Sequence, residues 1–177
     1  IEYGLPLHEQ KDYRIKRTNA KLYAIDPAFL EVIELKEHFK GEKPILEDEQ
    51  GPLAIMGIGL INKLEASMNS EFSIFVPKKN ITVRAKEPFL KKKIYLSSVL
   101  AYQNKQVNEE TLLWPLEAFR KMVKDTTDQI SHIYIRTKEG ENLDHIKDEI
   151  ESKLGGGFRV KTYLQKNELI FKTSKSE

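Results

Sequence analysis

Two glycines, Gly57 and Gly59, stand between an apolar run and an amphipathic run in residues 52–68, PLAIMGIGLINKLEASM. A strand, a glycine turn and a helix open the dinucleotide-binding folds, in which the backbone of the turn holds a pyrophosphate. That fingerprint also needs a third glycine, and an acidic residue at the end of the next strand. Asn62 takes the place of the third glycine, and the next predicted strand is followed by Pro77 and two lysines. The stretch therefore favours a turn that leads into a core-facing helix, with a small nucleotide-binding enzyme as the alternative.

The other residues that could carry chemistry have the spacing of structural groups. The glycine run 155–157 follows a predicted helix, where carbonyl groups are exposed, and is typical of a helix C-terminal cap. The acidic run 47–49 lies in a polar loop with no identifiable partner carboxylate. The chain has no cysteine and no Gly-x-Ser-x-Gly motif. The histidines lie on separate segments without the spacing of metal ligands: His8, His38, His132 and His145. We therefore expect no catalytic residue, no metal site and no cofactor.

Composition is typical of a soluble globular protein, with 40% hydrophobic and 32% charged residues among 177. The 29 basic and 27 acidic residues leave a net charge of +2, which gives no general case for nucleic acid as a partner. The one basic concentration is residues 91–93, near Lys78, Lys79, Arg84 and Lys86. We interpret it as the edge of a strand that lysines protect from pairing, with partner docking or anionic lipid head groups as alternatives.

Hydrophobic periodicity predicts the elements that must position these residues. Strands are predicted at 14–25, 71–76, 93–102, 130–136 and 158–163, with a possible short strand at 81–84 and a polar turn at 103–110. Helices are predicted to begin at Asp26-Pro27, after Gly59, at Pro115, at Asn142 and at Asn167. The helix after Gly59 should face the core through Leu60, Ile61, Leu64 and Met68. The strand, helix and strand in residues 130–163 have the length of a βαβ unit.

Three strings in this order resemble a known family. They are AIMGIGL at 54–60 with Leu64, the segment from KIYL at 93–96 to LWPLEA at 113–118, and the strand–helix–glycine–strand unit at 130–163 with residues 165–177. Together they are similar to the extracytoplasmic domain of the FtsX-like ABC transporter permeases, also called the MacB-type periplasmic core domain. Within that family, the chain most resembles the lipoprotein-releasing permeases of the LolC/LolE type.

The resemblance implies an α+β fold with two subdomains and no chemistry of its own. A porter-like βαβ subdomain would comprise residues 1–39 and 129–177, with its front strand and helix missing, and an inserted, mostly-β subdomain would comprise residues 40–128. The family acts at the periplasmic face of the bacterial inner membrane. Its implied partners are a cytoplasmic ATPase reached through membrane helices outside this chain, a second permease subunit, lipoprotein cargo, and a periplasmic chaperone or adaptor.

The function that the resemblance implies is the coupling of cytoplasmic ATP hydrolysis to the release of lipoproteins from the inner membrane. A MacB-like efflux or mechanotransmission domain that contacts a periplasmic adaptor is the alternative within the family. One branch carries a chaperone-docking hairpin between two strands of the inserted subdomain, and residues 77–90 occupy the corresponding place. The resemblance therefore implies a docking role for Lys78, Lys79, Arg84, Pro88 and Phe89.

Overall fold

The chain divides into two compact units, Ile1–Tyr134 and Ile135–Glu177. The computed structural model describes residues 2–4, 16–33, 38–41, 44–68, 70–78, 87–162 and 165. Within these residues, no helix is both long enough and apolar enough to cross a membrane.

The described residues form nine strands and five helices. The strands are β1 (Glu2–Gly4), β2 (Lys16–Arg17), β3 (Lys21–Ile25), β4 (Phe39–Lys40), β5 (Glu47–Asp48), β6 (Gly51–Gly57), β7 (Glu71–Pro77), β8 (Phe89–Leu100) and β9 (Thr111–Pro115). The helices are α1 (Phe29–Val32), α2 (Ile58–Leu64), α3 (Lys105–Glu110), α4 (Leu116–Val123) and α5 (Leu143–Leu154). All the strands lie in the first unit.

The strands form one mixed sheet whose main path is β2-β1-β7-β8-β6-β9-β3, with β4 paired to β8 and β5 paired to β6. The pairs β3–β9 and β6–β8 are parallel, whereas β6–β9, β7–β8 and the remaining pairs are antiparallel. Parallel and antiparallel pairs in one sheet, with helices between the strands, make an α+β fold. The predicted fold class is confirmed.

The division of the chain differs from the predicted boundaries at 39/40 and 128/129. Strand β3, from the first predicted segment, pairs with β9, from the predicted insertion, along its whole length of five residues. Strand β1, also from the first predicted segment, pairs with β7 of the predicted insertion along its whole length of three residues. Because these backbone hydrogen bonds join the two segments into one sheet, residues 1–39 and 40–128 belong to one unit, and the observed boundary follows Tyr134.

The apolar run of β6 is buried because both faces of the sheet are covered at this strand. Ala54 and Met56 lie in one core cluster with Trp114 of β9, whereas Ile55 lies in the other cluster with Leu113. Successive residues of a strand point to opposite faces, so one continuous apolar run fills two cores. The predicted core face of the following helix is confirmed for Leu60, Ile61 and Leu64, which are buried. Met68 packs against the first cluster from beyond the end of the helix at Leu64.

The strands predicted on either side of α5 are not formed by their described residues. Residues 130–136 and 158–162 have no strand structure, and Ile133, Ile135 and Phe158 are 66%, 61% and 58% exposed. A strand forms only when its backbone groups make hydrogen bonds to a neighbouring strand. The alternation of apolar and polar residues in these segments does not show whether such a strand lies beside them. The helix between them is confirmed as α5, with Asn142 as its N-cap. The predicted strand at 81–84 and the predicted helix from Asn167 lie outside the described residues.

Candidate functional site

The glycine turn is packed against a helix that the sequence did not predict. Strand β6 runs into α2 without a loop, and α3 lies directly on this junction. A Cβ atom at Gly57 would stand 2.3 Å from the backbone oxygen of Asn108, and one at Gly59 would stand 2.7 Å from Cγ of Glu109. The glycines are needed because the backbone of α3 fills the space where a side chain would be.

Helix α3 is held in this position by two asparagines. The Asn104 side chain caps its N-terminus by accepting hydrogen bonds from the backbone N–H groups of Gln106 and Val107, at 2.8 and 3.3 Å. The Asn108 side chain accepts from the backbone N–H of Tyr102 and donates to its carbonyl, both at 2.7 Å. The helix is therefore fixed to the strand end before it and cannot easily withdraw from Gly57.

Two carboxylates connect α3 to its neighbours on the surface. The Nζ atom of Lys63 lies 2.9 Å from Glu109, and that of Lys21 lies 2.5 Å from Glu110. The hydrogen bond from Lys63 lowers the pKa of Glu109, and the one from Lys21 lowers the pKa of Glu110. The same bond raises the pKa of Lys21. Because these groups face solvent, the pairs orient α3 more than they stabilise the fold.

The second notable surface is one face of the β7–β8 ladder. Phe72, Ile74 and Ile94 point into the core from this ladder, so the alternate residues point to solvent. We call these alternate residues the outer ladder face: Phe75, Phe89, Lys91, Lys93 and Tyr95. Phe89 is 49% exposed and Tyr95 is 53% exposed, which is unusual for aromatic side chains on a sheet that has a buried face.

Lysines and aromatic rings alternate across the outer ladder face. The Nζ atom of Lys91 lies 5.3 Å from the centre of the Phe75 ring, within the range of a cation–π contact. Lys93 donates a hydrogen bond of 3.1 Å to Glu71. Tyr95 and Lys93 also line a surface depression of about 220 Å³ beside Pro52. The face therefore combines exposed aromatic side chains with cationic groups.

The sequence predicts that the lysine run lies at the edge of a strand, whereas β8 lies between β7 and β6 in the sheet. Strand β8 pairs with β7 at residues 89–94 and with β6 from Tyr95 onward. In the described part of the chain, Lys91 and Lys93 are therefore paired on one side only. Sequence reasoning missed the contribution of Phe75 because it did not establish which residues share a face.

The predicted docking residues lie at the end of this ladder where they are described. The backbone N–H of Lys78 donates to the carbonyl of Pro88 at 3.0 Å, which extends the pairing by one step beyond β7. Phe89 follows as the first residue of β8. Lys79 and Arg84 lie outside the described residues. The structure thus places Lys78 and Pro88 next to Phe89, at the end of the outer ladder face.

A surface depression of about 380 Å³ lies at the C-terminal end of α4. Arg120 there donates to Glu117 at 3.1 Å and to the carbonyl of Gln129 at 3.3 Å. Acidic and basic groups alternate around it, so no ligand charge is favoured. Among the described residues, no group of three or more histidine, cysteine, aspartate or glutamate side chains is placed to hold a metal ion.

Neither a scan against protein-family models nor a search of curated proteins found a match to this chain. The likeness to the FtsX-like permeases therefore rests on the three strings in the sequence. Two of them fold as a strand that passes directly into a helix, β6 into α2 and β9 into α4. In the third string α5 is present, and its two flanking strands are not.

Proposed function

We propose that the chain is a non-enzymatic docking and coupling domain of an FtsX-like ABC transporter permease of the LolC/LolE type. It would serve at the periplasmic face of the bacterial inner membrane, where a cytoplasmic ATPase drives the permease to release lipoproteins. The ordered strings support this proposal, and so does their local structure, since AIMGIGL and LWPLEA each span a junction of strand and helix. The other partners in the proposal are a second permease subunit, lipoprotein cargo and a periplasmic chaperone.

The observation that carries the docking role is the outer ladder face. An exposed phenylalanine and an exposed tyrosine, Phe89 and Tyr95, lie on one strand with Lys91 and Lys93 between them. Aromatic side chains provide much of the free energy at protein interfaces when a partner removes them from water. A partner that covers Phe89 would also reach Lys78 and Pro88, which are joined to each other by a backbone hydrogen bond.

Lys79 and Arg84 belong to the proposed docking surface by resemblance alone. The lysines on the outer ladder face add attraction for an acidic partner surface, and this attraction weakens as salt rises. Glu71 offsets part of this charge through its pair with Lys93, so we expect apolar contact to provide more affinity than charge.

Binding to the periplasmic lipoprotein chaperone of the same organism tests the proposal. The Phe89→Ala variant should bind about 30-fold more weakly, which corresponds to roughly 2 kcal/mol for an interface hot spot. Tyr23→Ala is the matched control, because Tyr23 is a similarly exposed aromatic residue at 45% and lies on β3 at the far end of the sheet path. Equal affinity of the two variants would contradict the docking surface.

The same assay separates the alternatives. Binding to a periplasmic adaptor and not to the chaperone would favour a MacB-like efflux or mechanotransmission domain.

In the parent gene, a permease requires at least one stretch of about 20 apolar residues beside this segment. A gene without such a stretch would contradict both forms of the proposal. The nucleotide-binding alternative is weakened by Asn62, which takes the place of the third glycine of the fingerprint, and by the backbone of α3, which lies against Gly57.

A further inference from the structure

We draw no further inference here: the strongest candidate, the group of exposed apolar side chains on and beside helix α5 (Ile135, Leu143, Leu154 and Phe158), carries none because nothing in the described part of the chain shows what covers it.

Discussion

Replacement of Gly57 by alanine should destabilise the first unit through a direct clash with α3. The new Cβ would lie 2.3 Å from the backbone oxygen of Asn108 and 2.8 Å from its carbonyl carbon. Because Gly57 has φ −62° and ψ 137°, alanine can adopt its backbone conformation without strain, and the clash is the only cost. Relief requires a backbone shift of about 1 Å, and the bonds from Asn108 to Tyr102 oppose it.

The size of the effect follows from two opposing contributions. Replacement of glycine by alanine at a position with a compatible backbone stabilises the folded state by about 0.4–1 kcal/mol, because it reduces the conformational entropy of the unfolded chain. Overpacking costs about 1–3 kcal/mol and more where the neighbour is backbone. We expect a net loss of about 2 kcal/mol, or a Tm lower by roughly 4–8 °C for a chain of this size.

Urea unfolding followed by circular dichroism measures this loss. Gly157→Ala is the control, since a Cβ there meets nothing within 4 Å, and its midpoint should match that of the unchanged chain. The variant Gly59→Ala provides a second test, because its closest contact is the Glu109 side chain. Combining it with Glu109→Ala should recover part of the loss. A Gly57→Ala variant as stable as the unchanged chain would refute the packing of α3 on the glycine turn.

Three further predictions concern the same region. Asn108→Ala should lower the free energy of unfolding by about 1–3 kcal/mol, because the backbone groups of Tyr102 lose their partners; an unchanged urea midpoint would contradict this role. The folded-state pKa of Glu110 is lowered by Lys21, so the pair stabilises the fold above the unfolded pKa and loses that contribution as the pH falls below about 4.3. The Glu110→Gln variant should therefore show a smaller drop of the urea midpoint in acid, and an equal drop would contradict the assignment. NAD or ATP should leave Tm unchanged, whereas a ligand at 100 times its Kd would add about 2.7 kcal/mol; a rise of that size would support the nucleotide-binding alternative.

The elements that the sequence predicted correctly are those with a strong local signal. The core face of α2 repeats at helical spacing, and the strands β7 and β8 combine β-branched and aromatic residues. Proline at the start of α4 and asparagine at the start of α5 mark helix N-termini. In each case the deciding information lies within a dozen neighbouring residues.

Helix α3 and strand β9 were missed for a different reason. The segment of α3, QNKQVNEE, is polar and its composition predicts a turn, although Asn104 is a residue type that caps helices. Its helix forms because glycines distant in sequence leave room for its backbone. Strand β9 is five residues long and takes its place through pairing with β3 and β6. The sequence pattern within each segment shows neither the space left by the glycines nor the strands that pair with β9.

The candidate site was predictable in part. The likeness to a docking hairpin indicated Phe89, and the charge pattern indicated the lysines of residues 91–93. The neighbouring Phe75 could not be assigned because its place beside Lys91 depends on the register of β7 against β8. The strands predicted beside α5 were wrong for the same physical reason, since pairing partners are set by the whole fold.

The length of strand β8 determines how a mechanical load would pass through the sheet. It is 12 residues long, about 40 Å at 3.3 Å per residue, and it forms both the exposed ladder and the buried centre of the sheet. A pull on its Phe89 end along the strand axis would load the hydrogen bonds to β7 and β6 in shear, because both ladders run parallel to that axis. The strand would then connect the exposed end of the ladder to the buried residues Val99 and Leu100 without an intervening loop.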